Sequence, residues 1–445
     1  TTITIGASSD TIALAAGASQ TGFGREGSVD WQTGSIKTGT FTAVTGEGYF
    51  VNTSGGVSTV NLPAGAAGSI VAVSDYTRTW NSNNVTVTPN GAEKIGGVAA
   101  GATLDVNGQS ATFVYVDGTE GWINVQETQT SQAGIPPFME ATGGTITESG
   151  DFKIHTFTGS STFEVTRLAT QSPAPIYNIV SYAVAAGGGG SGGAGPYQHT
   201  AGGGGGGGFR EGKNAPVDSY TASPLNAPAG LPVSLTSYPI TVGGGGAGGV
   251  GPAGGSNGLN SVFSTITSTA GGGGAAVATP GTPACRTGKP GGSGGGGSSQ
   301  TGGAGGSGNT PPTSPSQGNT GGPGTDAPPD LRGGAGGGAT AIGGAGSPVA
   351  IQAAGAAGAT TNIPGSPLGY SGGGGAGGTC VGGPGAGGAA SPCGSGAAGS
   401  SPCAPNDGNN AVDNRGGGGG GAGAAGPSTG GNGGSGVVII RYKFQ

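Results

Sequence analysis

Few side chains in this 445-residue chain could do chemistry: two histidines, four cysteines and a thin scatter of acids and bases. A Ser-His-Asp site would have to use His155 or His199. His155 alternates within a strand-like segment and reads as solvent-facing or interfacial. Asp326 and Asp330 have the types for a carboxylate pair, but they sit in a Pro-rich stretch without a rigid frame. No G-K-[ST] occurs, and Gly-rich motif matches carry no information in a chain with 112 Gly. These residues predict no enzyme and no cofactor.

Cys285, Cys380, Cys393 and Cys403 are not spaced as C-x-x-C, and His199 is the one histidine in their half of the chain, so no metal site is expected. Disulfides in an oxidising medium fit better. Cys393 and Cys403 bracket a small-residue loop and form the natural local pair, which leaves Cys285 with Cys380. Four free thiols in loops are the alternative.

Composition divides the chain near Ala186. Only 25 of the glycines precede Gly187. Residues 1–186 carry 14 acids and 6 bases, whereas 187–436 carry 6 of each. No basic footprint exists for nucleic acid. No apolar run reaches 18 residues, so no membrane insertion is expected. Thr1–Ile5 does not read as a secretory signal.

Residues 1–130 read as β-structure, an N-terminal attachment or oligomerisation region. Short runs at 2–5, 11–14, 41–44, 48–53, 57–62, 69–76, 84–89, 102–106, 111–118 and 121–127 mostly alternate apolar with polar residues. Gly-Gly, Asn-Gly and Asp-Gly punctuate them. Trp31, Trp80 and Trp122 read as core or subunit-interface residues. Residues 131–170 read as a small separate β module, with Phe152, Ile154, Thr156 and Thr158 on one face. Residues 171–445 form the Gly-rich domain. An apolar strand at Ile176–Val184 enters it and another at 437–444 closes it, so pairing of the two would fix both ends of the Gly-rich segment in one place.

The Gly runs lie near 187–195, 202–208, 243–255, 271–274, 291–308, 333–346, 371–389 and 416–434. They lack the strict triplet of collagen and the alternation of silk. The ordered form left is a sandwich of polyglycine II helices, with three residues per turn and outward-pointing N–H and C=O groups that bond to neighbouring helices. The expected fold is therefore all-β N-terminal modules followed by a polyglycine II sandwich, with essentially no α-helix.

Tyr177–Gly193, Val262–Ala276 and Gly430–Tyr442 together resemble the glycine-rich domain of phage tail-fibre and adhesin proteins. The closing VVIIRY strand is the most specific element. Gly143–Val165 resembles the small β module that precedes such domains, and 46–127 is more weakly similar to repetitive β modules of phage fibres. The resemblance implies a virion or extracellular protein, a homotrimer attached to another virion protein through its N-terminal region. It implies loops that contact a host-surface glycan or outer-membrane protein. Candidate loop residues are Tyr197, His199, Phe209, Arg210, Lys213, Tyr220, Arg286, Lys289, Arg332 and Tyr370, since Tyr and Arg suit binding hot spots. Aromatics that cap the ends of the Gly slab are the alternative for each, and Tyr238 and Phe263 lean that way. A head fibre, capsid decoration or self-assembling filament without a receptor role is the competing function.

Overall fold

The computed structural model describes residues 29–128, 138–170, 174–195, 199–277, 286–327, 330–347, 353–378, 391–400, 407–423 and 426–445. The strands expected at 2–5 and 11–14 lie outside them. The chain forms two compact units, Thr1–Ile135 and Pro136–Gln445. Among the described residues it is all-β, and its one helix is the four-residue Ala174–Tyr177.

The first unit holds β1 (Asp30–Trp31), β2 (Thr40–Thr42), β3 (Glu47–Val51), β4 (Ser58–Asn61), β5 (Ile70–Asp75), β6 (Val85–Thr88), β7 (Ala102–Leu104), β8 (Ser110–Asp117) and β9 (Gly121–Thr128). These lie close to the strands expected from period-2 alternation. Their pairing is less local than the turn signals suggest. β1, β3 and β5 stack in parallel in one sheet, and β2, β4 and β6 stack in parallel in another. Gly55-Gly56 carries the chain from one sheet to the other instead of closing a hairpin. β7, β8 and β9 then pair antiparallel and finish the stack. Alternate residues meet between the sheets, with Val51, Val60, Val71, Val87, Trp80 and Trp122 in the core. Trp31 is instead 39% exposed.

Asp75 organises one corner of this unit. Its Oδ1 accepts the N–H groups of Thr77, Arg78 and Thr79, and its Oδ2 those of Trp80 and Gly108. One buried carboxylate thus satisfies five main-chain donors that the turn leaves without strand partners.

The second unit opens with β10 (Glu140–Thr142), β11 (Thr145–Ser149), β12 (Phe152–Phe157) and β13 (Ser161–Arg167). It continues with β14 (Ile179–Ala185), β15 (Phe209–Gly212), β16 (Asn226–Ala227), β17 (Leu231–Pro232), β18 (Ser237–Thr241), β19 (Ser261–Phe263) and β20 (Ile266–Ser268). Two hairpins follow, β21 (Thr325–Ala327) with β22 (Asp330–Arg332) and β23 (Ala359–Thr361) with β24 (Leu368–Tyr370); β25 (Val437–Lys443) closes the chain. One sheet runs β11-β12-β25-β14-β15-β16, and a second runs β10-β13-β18-β19-β20. The segment read as a separate module at 131–170 is therefore built into both sheets of the Gly-rich unit.

β14 and β25 pair antiparallel, Ala185 against Val437, as their flanking positions require. The sheet they centre is covered on both faces. Val438, Ile440 and Tyr442 pack with Val180, Tyr182 and Val184 toward the second sheet. Val437 and Ile439 pack with Ile154, Ala183 and Ala185 on the other side. Two-sided burial explains why VVII is a continuous apolar run and not an alternating one. It also overturns the solvent-facing reading of His155, which is fully buried.

The glycine runs form a lattice with a period of three. In 202–208, the N–H groups of Gly202, Gly205 and Gly208 bond to the carbonyls of Ala275, Gly272 and Thr269. Those of Gly203 and Gly206 bond to Gly334 and Gly337, and those of Gly204 and Gly207 to Gly419 and Gly416. Every third residue addresses the same neighbour, as in helices of three residues per turn. The carbonyls of this run accept in turn from runs around 186–192, 293–296 and 374–377. Each interior run is thus ringed by others, and a side chain has no room. A Cβ on Gly204 would lie 2.0 Å from the Gly189 carbonyl oxygen.

At lattice edges, side-chain oxygens replace missing carbonyls. Asp407, Asn410 and Asp413 accept the N–H groups of Thr429, Asn432 and Ser435 at the same three-residue interval. Asn257 and Asn260 do the same for Gly273 and Ala270.

Candidate functional site

The two ends of each glycine run are chemically different. At the sheet end, Ala186, Gly208 and Gly436 pass directly into or out of β14, β15 and β25. At the far end the runs are tied to one another by Ala194 with Ser428, Gly377 with Ala201, Gly378 with Ser400 and Ser299 with Thr200. The run 202–208 separates the ends by roughly 20 Å at about 3.1 Å per residue. The candidate loop residues divide between them.

Five candidates lie at the sheet end. Phe209 begins β15 opposite Ala185, so its ring enters the core and stacks on Tyr370, with centroids 5.9 Å apart. Phe209, Tyr370 and Tyr220 are buried. Lys213 Nζ donates to the Tyr220 carbonyl at 2.7 Å and sits 5.2 Å from its ring. Arg210 is half-buried in the same strand. The Phe209 and Tyr370 rings hold the lattice to the sheet and are closed off from solvent. Burial, reinforced by the nearby Glu211 and Asp218 carboxylates, holds the Tyr220 phenol far above its ordinary pKa, and it stays neutral.

The sequence reading missed the centre of this group. Arg441 lies in β25 on the face of Val437 and Ile439, where its Nε donates to both carboxylate oxygens of buried Asp218 at 3.1 Å. Phe152 and Tyr220 lie 4.5 and 5.6 Å from the guanidinium. Asp218 also accepts from Ser181, whose Oγ accepts the Asn214 N–H. Glu211 accepts from Thr361 and from the Ser223 N–H. A charge on the core-facing register of an apolar strand was the available signal.

Three candidates meet at the far end. His199 is half-buried beside Ser299 Oγ, at 3.4 Å, and feels both Asp326 and Arg286. Burial lowers its pKa, Asp326 opposes that, and Arg286 adds to it. Arg286 Nη1 donates to Thr301 Oγ1, and the Thr301 N–H donates to Asp326. Asp326 and the buried Arg332 belong to the β21–β22 hairpin. Ser299 is buried and its Oγ accepts the Thr200 N–H, so this Ser–His contact fastens a loop and presents no nucleophile. Lys289 is exposed, while its main chain is part of the lattice. Tyr197 lies outside the described residues.

Cys393 is a free cysteine whose Sγ contacts Ser391 and Ser395. Cys285, Cys380 and Cys403 lie outside the described residues. Among the described residues, no group of three or more His, Cys, Asp or Glu could hold a metal ion. No helix among them is long and apolar enough to cross a membrane.

The family model for a glycine-rich domain matches residues 158–443, nearly the whole second unit. The chain belongs to this glycine-rich domain family. A search of the curated proteins finds no match. The matched region starts within β12–β13 and ends on β25, so it spans the enclosing sheets as well as the runs between them.

Proposed function

We propose that this chain is a structural virion fibre or adhesin whose glycine-rich domain displays loops to a host-surface receptor. One observation carries this reading: the lattice holds one end in a β-sandwich and gathers loops at the other, roughly 20 Å away on the rise of such helices. The period-three bonding supports polyglycine II helices as the material of that spacer. A stiff slab with polar loop ends at its tip suits presentation to another surface. The tip carries Arg286, Thr301 and Asp326, joined by hydrogen bonds, with His199 near enough to feel both charges, and the group is partly open to solvent. In the same reading, the first unit attaches the protein to another virion component and joins copies into a trimer. Its support is an aromatic row on that unit, Trp31 5.0 Å from Phe50 and Phe50 6.5 Å from Tyr76, with Trp31 and Tyr76 exposed.

The test is binding of the labelled full chain to a panel of bacterial cells. It is compared with a variant in which 299–302 and 325–332 are replaced by Gly/Ser sequence, once circular dichroism shows that the variant keeps the wild-type fold. Saturable binding that the variant loses supports the adhesin. Ordered protein that binds no cell, or binds equally after replacement, overturns it in favour of a decoration or filament role.

A further inference from the structure

Arg441 is left incompletely used by the fold. Only 5% of the residue is exposed, and Asp218 engages Nε alone. Its Nη1 is buried with no hydrogen-bond partner. A buried, unpaired guanidinium N–H is costly in a finished core and calls for an explanation.

The explanation lies beside it. Arg441 and Tyr220 line a cavity of about 240 Å³ together with Ser149, Ser219, Thr221 and Asn362. The cavity is open to solvent, because Ser219 and Thr221 are exposed. Among the described residues, the side chains of Ser149, Ser219, Thr221 and Asn362 make no hydrogen bond to another protein group. Three hydroxyls, one carboxamide and one guanidinium edge thus converge with their hydrogen-bonding capacity unspent. The wall is rigid. Asn362 is tied by its carbonyl to the Gly365 N–H and by its N–H to the Thr221 carbonyl, and Arg441 is set in the central strand of the sheet.

The charge balance decides the ligand class. Arg441 is the only charged side chain lining the cavity among the described residues, and Asp218 already faces it. Lys213 and Glu211, close to Tyr220, offset each other. An anion would gain little net attraction here, whereas a neutral ligand rich in hydroxyls could use every donor and acceptor. The volume is below the usual range for drug-sized molecules, which is about 300–1,000 Å³. We infer that this cavity is a binding site for a single neutral sugar unit, with the Arg441 guanidinium donating to ring hydroxyls and Asn362 and Thr221 fixing their orientation. The site stands apart from the far-end loops, at the opposite end of the lattice, and does not depend on their role.

The experiment is saturation-transfer NMR and calorimetry on the full chain with methyl glycosides of common neutral hexoses and N-acetylhexosamines. Methyl glucuronide and acetate are the charged comparisons. At least one neutral glycoside is expected to saturate with a dissociation constant in the millimolar range. Thr221→Val with Asn362→Ala alters two rim side chains that the core does not use, and is expected to weaken that binding at least tenfold with the thermal midpoint unchanged. Arg441→Lys, which keeps the charge but changes the donor fork, is expected to do the same if it folds. No saturable glycoside, equal binding by the rim double variant, or tighter binding of acetate or the glucuronide would each overturn the inference.

Discussion

The imidazole of His155 lies stacked on the phenol ring of Tyr442, with centroids 5.5 Å apart and planes 27° apart. The pair fastens β12 to the closing strand through one hydrogen-bond chain. The Ala141 N–H donates to Tyr442 Oη, which lies 3.2 Å from His155 Nε2, and His155 Nδ1 lies 2.7 Å from the Gly143 carbonyl. A carbonyl can only accept, so Nδ1 carries the proton, and the Tyr442 hydroxyl donates to Nε2. Burial keeps this phenol protonated, with its pKa pushed up to about 12.

That arrangement makes the second unit acid-sensitive. Burial lowers the His155 pKa, with Lys153 adding to it and the Gly143 hydrogen bond opposing. The unfolded chain therefore binds the proton more readily than the folded one. The neutral form's stabilisation is complete above the unfolded value of about 6.5 and is lost progressively as pH falls below it. Urea midpoints of the second unit are expected to drop between pH 7 and pH 5, and His155→Gln to flatten that slope. His199, also lowered by burial, is separated by His199→Asn. A midpoint constant across this range in the wild type would refute the assignment.

Breaking the Arg441–Asp218 pair tests its structural share. Asp218→Ala leaves a buried guanidinium uncompensated and is expected to cost about 3–5 kcal/mol in denaturant unfolding. Replacing both partners, Asp218→Leu with Arg441→Met, removes the desolvated charges together and should recover most of that loss. A double variant as unstable as the single one would show that shape, not charge, governs the site.

In the first unit, Asp75 is the most exposed point of failure. Asp75→Ala strips an acceptor from five main-chain N–H groups and is expected to destabilise that unit by about 3 kcal/mol. Asp75→Asn keeps one carbonyl and should cost less. Thermal unfolding followed by Trp80 and Trp122 fluorescence reports on this unit, since both rings are in its core.

Much of this was legible from pattern, and what was not has specific causes. Period-2 alternation located the strands of the first unit, but alternation is blind to partner direction, so the parallel stacking of β1, β3 and β5 was invisible. The apolar strands flanking the Gly runs gave the β14–β25 pairing, because two runs that must end in one place need such a clasp. His155 was misplaced because alternation assumes a single buried face, and β12, β14 and β25 have two. Phe209 read as the start of a loop because it follows a Gly run, and nothing in its neighbours shows that β15 begins there against Ala185. Arg441 was passed over because a lone arginine near a terminus reads as surface charge until Asp218, 223 positions away, is brought beside it.

The lattice makes a sharper prediction about glycine. Gly204 is ringed by main chain, with the Gly189 carbonyl oxygen 2.0 Å from any added Cβ. No flexible side chain can yield there, so Gly204→Ala is expected to cost about 3 kcal/mol or to prevent folding. Gly244 has nothing within 4 Å of the same position and no left-handed backbone. Gly244→Ala should raise stability by about 0.5 kcal/mol through the unfolded chain. Equal effects at the two sites would mean that the runs are not packed as described.

The side-chain ladder at the lattice edge tests whether spacing or composition holds the outermost run. Asp407, Asn410 and Asp413 recur every three residues because an edge run turns the same side to its neighbour once per turn, and each carries an oxygen to a main-chain N–H there. Asn410→Ala removes the acceptor of the Asn432 N–H at an exposed site and should cost under about 1 kcal/mol. The triple change of Asp407, Asn410 and Asp413 to Ala is expected to speed amide exchange at Thr429, Asn432 and Ser435 together. Amides in the interior run 202–208 should be unaffected. Asn410→Asp keeps the acceptor and should leave exchange near wild type. Moving the three residues one position along the run would point their oxygens at solvent, and a shifted ladder that protects those amides as well as the native one would show that composition alone suffices.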